Sequence, residues 1–145
     1  MTMMRLLLDT HALIWAAQLP EKLPQTAHSA ILDPRNTIFV SAVSAMEIAT
    51  KYRLGKLKIS PTLAEHFVDE VHRQGFEVLA LNAHHAQRGG LMRIPHNDPF
   101  DRLLIAQTMI EGLTLVSNEE IFDQWHVSRL WSKPLFKEAP DALDP

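Results

Sequence analysis

Residues 98–116 decide the fold: Asp98-Pro99-Phe100-Asp101-Arg102 opens an apolar segment that ends at Gly112 and is followed by Leu113-Thr114-Leu115-Val116. An aspartate followed by proline is a favoured helix start, and a glycine is a favoured helix end. This stretch therefore predicts a helix that ends at Gly112 and feeds directly into a buried strand. A helix leading into an apolar strand is the repeating unit of α/β proteins.

The alternation of strands and helices extends over most of the chain. Short apolar or β-branched runs predict strands, and apolar residues at helical spacing predict helices. The predicted strands are 4–8, 37–40, 76–81, 113–116 and a short fifth at 127–130. The predicted helices are 12–18, 24–32, 44–54, 61–74, 82–90 and 98–111. This order indicates an α/β sandwich with a mainly parallel sheet.

Composition limits the class of protein. A chain of 145 residues with 46% hydrophobic residues suits one domain with its own core. We expect this domain to cover 1–131, and the proline- and acid-rich residues 132–145 to form a mobile tail. No apolar stretch approaches the ~20 residues that span a bilayer. We therefore expect a cytoplasmic protein without a membrane partner.

The charge balance argues against a broad basic surface for duplex DNA, because the formal net charge is −3. It does not exclude nucleic acid as a ligand, because a bound cation would add positive charge that the formal count omits. A local basic cluster is formed by Lys51, Arg53, Lys56 and Lys58. This cluster is either a solvated helix end or a patch that contacts phosphate.

Five carboxylates lie where predicted strands end or predicted helices begin. Asp9 and Glu119 follow the first and fourth strands, Asp98 and Asp101 begin the helix before the fourth strand, and Glu47 follows the second strand. In a parallel sheet these positions share the edge where the strands have their carboxyl ends. Converging carboxylates repel one another and raise one another's pKa values unless a cation neutralises them.

The economical explanation is a site for a hard divalent metal. Mg²⁺ and Mn²⁺ prefer carboxylate oxygens, and the chain has no cysteine to offer thiolate ligands. Such a metal would activate water against a phosphodiester. His11 and His96 lack the spacing of an imidazole metal motif. The acids therefore predict a metal-dependent phosphodiesterase.

Four of the five acids also have a structural explanation. Asp9 suits a strand-end turn, and Ser44 with Glu47 fits a capping box at a helix start. Asp98 suits a helix cap, and Asp101 suits the positive end of the helix dipole. A phosphatase with Asp9 as nucleophile is an alternative, but that chemistry would usually need a second acid two residues later, where this chain has His11.

Four segments of the sequence resemble the PIN domain family, and more narrowly the VapC-type toxins of bacterial toxin–antitoxin pairs. They are Leu-Leu-Leu-Asp-Thr-His-Ala-Leu-Ile-Trp (6–15), Ser-Ala-Met-Glu-Ile-Ala-Thr-Lys (44–51), His-Asn-Asp-Pro-Phe-Asp-Arg-Leu-Leu-Ile-Ala-Gln (96–107) and Leu-Val-Ser-Asn-Glu-Glu-Ile-Phe (115–122). The resemblance covers about residues 4–131. It implies a three-layer α/β/α sandwich, Mg²⁺- or Mn²⁺-dependent endoribonuclease activity on RNA, a cognate antitoxin and a homodimer.

The resemblance also assigns roles. Asp9, Glu47 and Asp101 match the first three family acids and are predicted to be catalytic metal ligands. Asp98 is predicted to be catalytic as a ligand or as a group that holds one, unless it is only the cap. Glu119 is predicted to be the last catalytic ligand, although the family usually has aspartate there. That departure leaves open a catalytically weakened PIN-like domain that binds a partner or RNA.

Four further polar residues are candidates for contacts with RNA phosphates. They are Thr10, Lys51, Arg102 and Ser117. The hydroxyls of Thr10 and Ser117 would equally bind a carboxylate or satisfy a local turn. Arg102 would equally pair with Asp98.

Overall fold

A parallel β-sheet organises the fold in the computed structural model, which describes residues 3–133. The sheet has the strand order β3-β2-β1-β4-β5, and all its pairings are parallel. Its strands are β1 (Arg5–Leu8), β2 (Thr37–Ser41), β3 (Glu77–Leu79), β4 (Thr114–Val116) and β5 (Arg129–Leu130). The predicted parallel sheet is confirmed. The predicted tail at 132–145 lies outside the described residues except for its first two.

Helices connect the strands of this described region. They are α1 (Thr10–Gln18), α2 (Gln25–Leu32), α3 (Ala42–Arg53), α4 (Pro61–Glu65), α5 (Phe67–Arg73), α6 (Ala83–Leu91) and α7 (Pro99–Glu111), with short 3-10 helices at Pro20–Lys22 and Glu120–Trp125. No helix among the described residues is long and apolar enough to cross a membrane.

The central strand β1 is buried on both faces, and its side chains divide between two cores. Leu6 and Leu8 belong to a core that includes residues of α1, α2, α3 and α5, whereas Leu7 belongs to a core with Leu104 and Ile105 of α7. The division follows from the alternation of side chains along a strand. Helices thus cover both faces of the sheet, and the predicted three-layer α/β/α sandwich is confirmed.

The strand order creates a switch point between β1 and β4. The chain moves outward from β1 to β2 and β3, and it then returns to place β4 on the other side of β1. Ligands of α/β proteins bind at such a point, beyond the carboxyl ends of the strands. The Asp9 amide donates to the Val116 carbonyl at 3.0 Å, so the two chain segments leave the sheet side by side.

Helix α7 has the predicted ends. The Asp98 carboxylate accepts a 3.1 Å hydrogen bond from the Asp101 amide, and Pro99 occupies the first helical position. Gly112 closes the helix in the left-handed conformation, with φ of 65°. A residue without Cβ adopts that conformation at little cost, so the helix ends there.

The capping box predicted from Ser44 and Glu47 is wrong. Helix α3 starts three residues earlier than predicted, because the Ser41 hydroxyl at the end of β2 accepts a 3.0 Å hydrogen bond from the Val43 amide. Ser44 and Glu47 therefore lie inside the helix, with Glu47 in the second turn. Both side chains remain free for contacts with other elements.

Two other helices differ from the prediction. The helix predicted over 61–74 is interrupted at His66, whose backbone has φ −135° and ψ 50°. The helix predicted to stop at Gly89 and Gly90 continues to Leu91. A Cβ on Gly89 would lie only 3.2 Å from the Arg102 carbonyl oxygen, so this glycine allows α6 and α7 to pack closely.

Candidate active site

Asp9 is a buried carboxylate at the switch point. It caps α1, where its Oδ1 accepts a 2.8 Å hydrogen bond from the Ala12 amide, and only 7% of the residue is exposed. Burial raises the pKa of Asp9 from its ordinary value of 3.8 to about 6, although hydrogen bonds from Ser117 and the Ala12 amide lower it. The charge of Asp101 adds to the rise in this pKa. An ionised Asp9 is therefore costly unless a cation lies nearby.

Ser117 joins the first and last predicted acids. Its fully buried hydroxyl contacts the Asp9 carboxylate and accepts a 3.0 Å hydrogen bond from the Glu119 amide. The Ser117 carbonyl accepts a 2.9 Å hydrogen bond from Arg129, which also holds Asp123. Because Ser117 is buried, its contact with Asp9 takes the place of the predicted contact with RNA phosphate.

Glu119 is exposed and lies beside Asp9 in the same cleft. Its backbone begins the 3-10 helix Glu120–Trp125, which directs the chain away from β4. The cleft has a volume of about 170 Å³ and is lined by Asp9, His11, Trp15, Asn118 and Glu119. The Glu119 side chain, which is one methylene longer than that of aspartate, therefore lies at the exposed rim of this cleft.

Glu47 is held by two of the residues predicted to contact RNA. The Thr10 hydroxyl donates to Glu47 Oε1 at 2.7 Å, and Lys51 Nζ lies 2.8 Å from Glu47 Oε2. Thr10 is buried and also contacts the buried Ser44 hydroxyl at 2.9 Å. The buried Thr10 hydroxyl therefore binds the Glu47 carboxylate. Lys51 pairs with the same carboxylate, but 41% of its side chain is exposed.

Asp98 and Asp101 lie together at the start of α7. Asp101 Oδ2 contacts His96 Nε2 at 2.7 Å. Burial raises the pKa of Asp101, the His96 hydrogen bond lowers it, and the charges of Asp98 and Glu47 raise it again. Asp101 thus interacts electrostatically with Asp9, Glu47 and Asp98. These interactions indicate that the fold brings the four acids to one edge of the sheet.

Arg102 is a structural clamp. Its guanidinium has five N–H donors, and each has a backbone carbonyl in the loop between α6 and α7 or at the end of α6. The acceptors are the carbonyls of Gly89, Gly90, Met92, Ile94 and His96. This arrangement leaves no donor for phosphate or for Asp98, so neither predicted role of Arg102 agrees with the geometry.

The donor set suits a hard cation, although the side chains do not form a finished coordination site. Within residues 3–133, no group of three or more His, Asp or Glu side chains is placed to hold a metal ion. Asp9 and Asp101 nevertheless combine burial, raised pKa values and mutual repulsion. A divalent cation would offset the cost of burying charge, lower both pKa values and screen the repulsion, since carboxylate oxygens are its preferred ligands.

A second cleft lies near the amino ends of β2 and β3. It has a volume of about 280 Å³ and is lined partly by Ile31, Ile38 and Phe76. Its acid, Asp33, is held by Arg35, which lowers the pKa of Asp33 to about 2. A carboxylate that is already paired with an arginine has no need of a metal, so the smaller cleft beside Asp9 is the better candidate site.

Three residues contribute to the site although the sequence does not predict it. His96 lacks the spacing of a metal motif, yet it contacts Asp101. Ser44 has the sequence pattern of a helix cap, yet it contacts Thr10. Arg129 lies outside the motifs of the sequence, yet it fixes the turn at Ser117. Each acts on an acid or its neighbour through a contact between separate elements, for which the sequence carries no local signal.

Comparison with solved structures supports the fold. The chain is similar to the crystal structure of VapBC2 from Rickettsia felis bound to a DNA fragment from their promoter, with a TM-score of 0.62, 21% identity, and coverage of 88% of this chain and 99% of that chain. It is also similar to a toxin–antitoxin complex from Klebsiella pneumoniae, with a TM-score of 0.56, 17% identity, and coverage of 88% and 97%. At these identities the likeness concerns the fold alone.

Comparison of sequences identifies the family. The chain is 40% identical to Ribonuclease VapC16 of Mycobacterium tuberculosis over 78 residues, which cover 48% of this chain and 55% of that protein. The match thus spans about half the length of the curated relative. Residues 6–126 match the PIN domain. Since this match covers most of the chain, including the switch point and the five acids, the chain belongs to the PIN domain family.

Proposed function

We propose that this protein is a metal-dependent endoribonuclease and the toxin of a toxin–antitoxin pair. The observation that carries the proposal is the state of Asp9, a buried carboxylate whose pKa is raised to about 6 and whose neighbour Asp101 is also an acid. A protein gains nothing in stability from two such carboxylates at a switch point. The partial sequence match to a ribonuclease supports RNA as the substrate.

The roles of the acids follow from their contacts. Asp9 and Asp101 would hold Mg²⁺ or Mn²⁺, with Glu47 and Glu119 as further ligands. When bound, the metal would supply an activated water and neutralise charge on the phosphodiester. Ser117 orients Asp9 by donating to its carboxylate. Asp98 stabilises the start of α7 by accepting from the Asp101 amide.

Glu47 is oriented by a separate set of contacts. Thr10 and Lys51 bind its two carboxylate oxygens. Lys51 also remains a candidate for phosphate contact, because its exposed ammonium has three N–H donors and one of them meets Glu47. Single-stranded or looped RNA is the expected substrate, since its backbone and bases are accessible.

Two partners are part of the proposal. A cognate antitoxin would restrain the activity, in keeping with the likeness to toxin–antitoxin complexes. A second copy of the chain would form a homodimer acting in the cytoplasm. Exposed large apolar side chains are candidates for such contacts; they include Leu32, Met46, Leu54, Val68 and Leu91. Light scattering on the purified protein tests the dimer, and a mass of one chain at all concentrations would contradict it.

The decisive experiment is cleavage of total bacterial RNA with Mg²⁺ or Mn²⁺, with and without EDTA. Wild type is expected to cleave only with metal, and Asp9→Asn and Asp101→Asn to be inactive. Asp69→Asn is the matched control, because Asp69 is an exposed acid on α5. Cleavage that survives chelation, or that persists in Asp9→Asn, would overturn the metal mechanism.

A cellular experiment tests the toxin assignment. Expression without a partner is expected to arrest growth, and Asp101→Asn to relieve the arrest. Coexpression of a small protein encoded in the adjacent reading frame is expected to restore growth with the wild-type chain. Equal toxicity of wild type and Asp101→Asn would contradict the proposal.

A catalytically weakened domain that binds a partner or RNA is the second candidate. It is favoured by the lack of a ready-made metal group among the described residues and by the exposed position of Glu119. The same cleavage assay separates the two candidates. RNA binding without cleavage at saturating Mn²⁺ would favour the weakened domain.

A further inference from the structure

His96 makes a direct contact with a predicted metal ligand. Its Nε2 lies 2.7 Å from Asp101 Oδ2. Because an ionised carboxylate accepts and does not donate, Nε2 carries the proton and donates to Asp101. A hydrogen bond to a charged acceptor is stronger and more directional than one between neutral groups. The contact engages one of the two oxygens of Asp101.

His96 is itself held by two other contacts, one to its imidazole ring and one to its backbone carbonyl. Its ring lies 5.0 Å from the Trp125 ring, measured between centroids, and Trp125 belongs to the core beneath α7. The His96 carbonyl accepts a 2.7 Å hydrogen bond from Arg102. Only 20% of the His96 side chain is exposed. The donor that meets Asp101 is therefore fixed by the fold rather than by the carboxylate alone.

The three contacts form one continuous support. Arg102 lies one position after Asp101 on α7, and its guanidinium holds the loop that carries His96. The loop that Arg102 holds thus places the His96 ring nitrogen beside Asp101, the residue that precedes Arg102. A flexible loop would place no donor at a fixed position, and the half-exposed Asp101 side chain would then adopt several rotamers.

We propose that His96 is a positioning residue that fixes the Asp101 carboxylate for cation binding. This inference rests on the proposed metal-dependent function. With Oδ2 tied to His96, the other carboxylate oxygen, Oδ1, remains available to bind a cation. A donor that orients a ligating carboxylate raises metal affinity because less side-chain freedom is lost on binding.

The test measures Mn²⁺ binding by titration calorimetry without RNA, so that it does not depend on turnover. The variants are His96→Ala, His96→Gln and Asp101→Asn, with His84→Ala as a matched control because His84 is an exposed histidine on α6. His96→Ala is expected to weaken binding roughly 10-fold. His96→Gln is expected to restore most of the affinity, since its amide nitrogen can occupy the position of Nε2. His84→Ala is expected to bind as wild type does.

RNA cleavage against Mn²⁺ concentration gives a second readout. Excess Mn²⁺ is expected to restore cleavage by His96→Ala toward the wild-type rate, whereas Asp101→Asn stays inactive. A role in folding alone would lower the unfolding temperature without shifting the Mn²⁺ dependence. Thermal unfolding of each variant without metal separates these effects.

The outcomes distinguish the two levels of inference. Unchanged Mn²⁺ affinity in His96→Ala, together with lost affinity in Asp101→Asn, would overturn the positioning role and leave the proposed function standing. Unchanged affinity in Asp101→Asn, or wild type that binds no Mn²⁺, would overturn both. If His96→Ala does not fold, His96→Asn and His96→Gln are compared instead. Equal affinities of those two would then overturn the positioning role, because the shorter Asn does not reach Oδ2.

Discussion

The Thr10 hydroxyl donates a 2.7 Å hydrogen bond to Glu47 and thereby joins two residues that are 37 positions apart. Since that proton goes to Glu47, the Ser44 hydroxyl at 2.9 Å must donate to Thr10. The result is a directed chain from Ser44 through Thr10 to Glu47. It fixes a carboxylate of α3 against the first turn of α1, at the carboxyl edge of the sheet.

Thr10→Val is expected to lower RNA cleavage and stability together. Valine keeps the shape but leaves the buried Ser44 hydroxyl and Glu47 Oε1 without the Thr10 hydroxyl, which costs about 1–3 kcal/mol. Urea unfolding and metal-dependent cleavage check the two effects. Thr26→Val is the control, because the Thr26 hydroxyl binds a surface carbonyl, that of Ser132. Equal behaviour of the two variants would show that the chain from Ser44 to Glu47 has no such role.

The stability of the metal-free protein is expected to fall as pH rises from about 4 to about 6. In that window the folded state keeps a proton on Asp9, whose pKa is about 6, while the unfolded chain, with the ordinary value of 3.8, has lost it. A folded state that binds more protons loses stability with rising pH. The total loss from Asp9 is roughly 3 kcal/mol and is complete above its folded pKa. Asp101, whose pKa is also raised, acts in the same direction.

Asp9→Asn is the variant that isolates this effect. It is expected to flatten the pH dependence and to unfold at a higher temperature than wild type at pH 7.5 without metal. Thermal unfolding between pH 5 and 7.5 provides the measurement, with Asp69→Asn as the control. Parallel pH profiles for wild type and Asp9→Asn would refute the assignment of the raised pKa to Asp9.

Arg102→Lys is expected to destabilise the protein and to impair cleavage, although the charge is kept. An ammonium has three donors in place of five and cannot reach carbonyls spread from Gly89 to His96. The loop would loosen, and His96 would lose its fixed position. Hydrogen exchange of the amides in residues 89–97 checks the loop directly. Wild-type protection in Arg102→Lys would argue against the clamp.

The adjacent glycines of α6 provide a matched pair. Gly90→Ala is expected to stabilise the protein by about 0.5–1 kcal/mol, because alanine favours helix and a Cβ there meets nothing within 4 Å. Gly89→Ala is expected to gain nothing or to destabilise, because its Cβ would press on the backbone carbonyl of the clamped Arg102. Urea midpoints of the two variants test the difference. Equal stabilisation would mean that α6 and α7 separate easily.

Glu119 is expected to contribute less to metal-dependent RNA cleavage than Asp101 does. Glu119→Gln is expected to lower metal-dependent cleavage roughly 10-fold, since an exposed residue at the cleft rim contributes less than a half-buried acid. Asp101→Asn is expected to abolish cleavage. Glu120→Gln tests whether any nearby change of charge has the same effect. Loss of all activity in Glu119→Gln would place this residue among the essential acids.

The local sequence was sufficient for the strands, for most of the helices and for their order. The Asp98-Pro99 start and the Gly112 end of α7 were predicted because capping acts within a few residues. The leucines of β1 predicted a buried strand, and the alternation of elements predicted a parallel sheet, whose carboxyl edge carries the acids. The local pattern predicted the wrong start for α3, where Ser41 and Ser44 are both possible caps and Ser41 is the one that begins the helix.

The α/β fold and the sheet edge that carries the acids follow from hydrophobic period, caps and turns, which are short-range properties of the chain. The family follows from the motifs around the acids. The tertiary structure decided what each polar group touches. It turned Arg102 from a candidate phosphate ligand into a clamp, Ser44 from a cap into a donor for Thr10, and His96 into the partner of Asp101. A buried donor must find whichever acceptor the packed elements bring within about 3 Å, and that choice depends on strand order and helix packing rather than on the neighbouring residues.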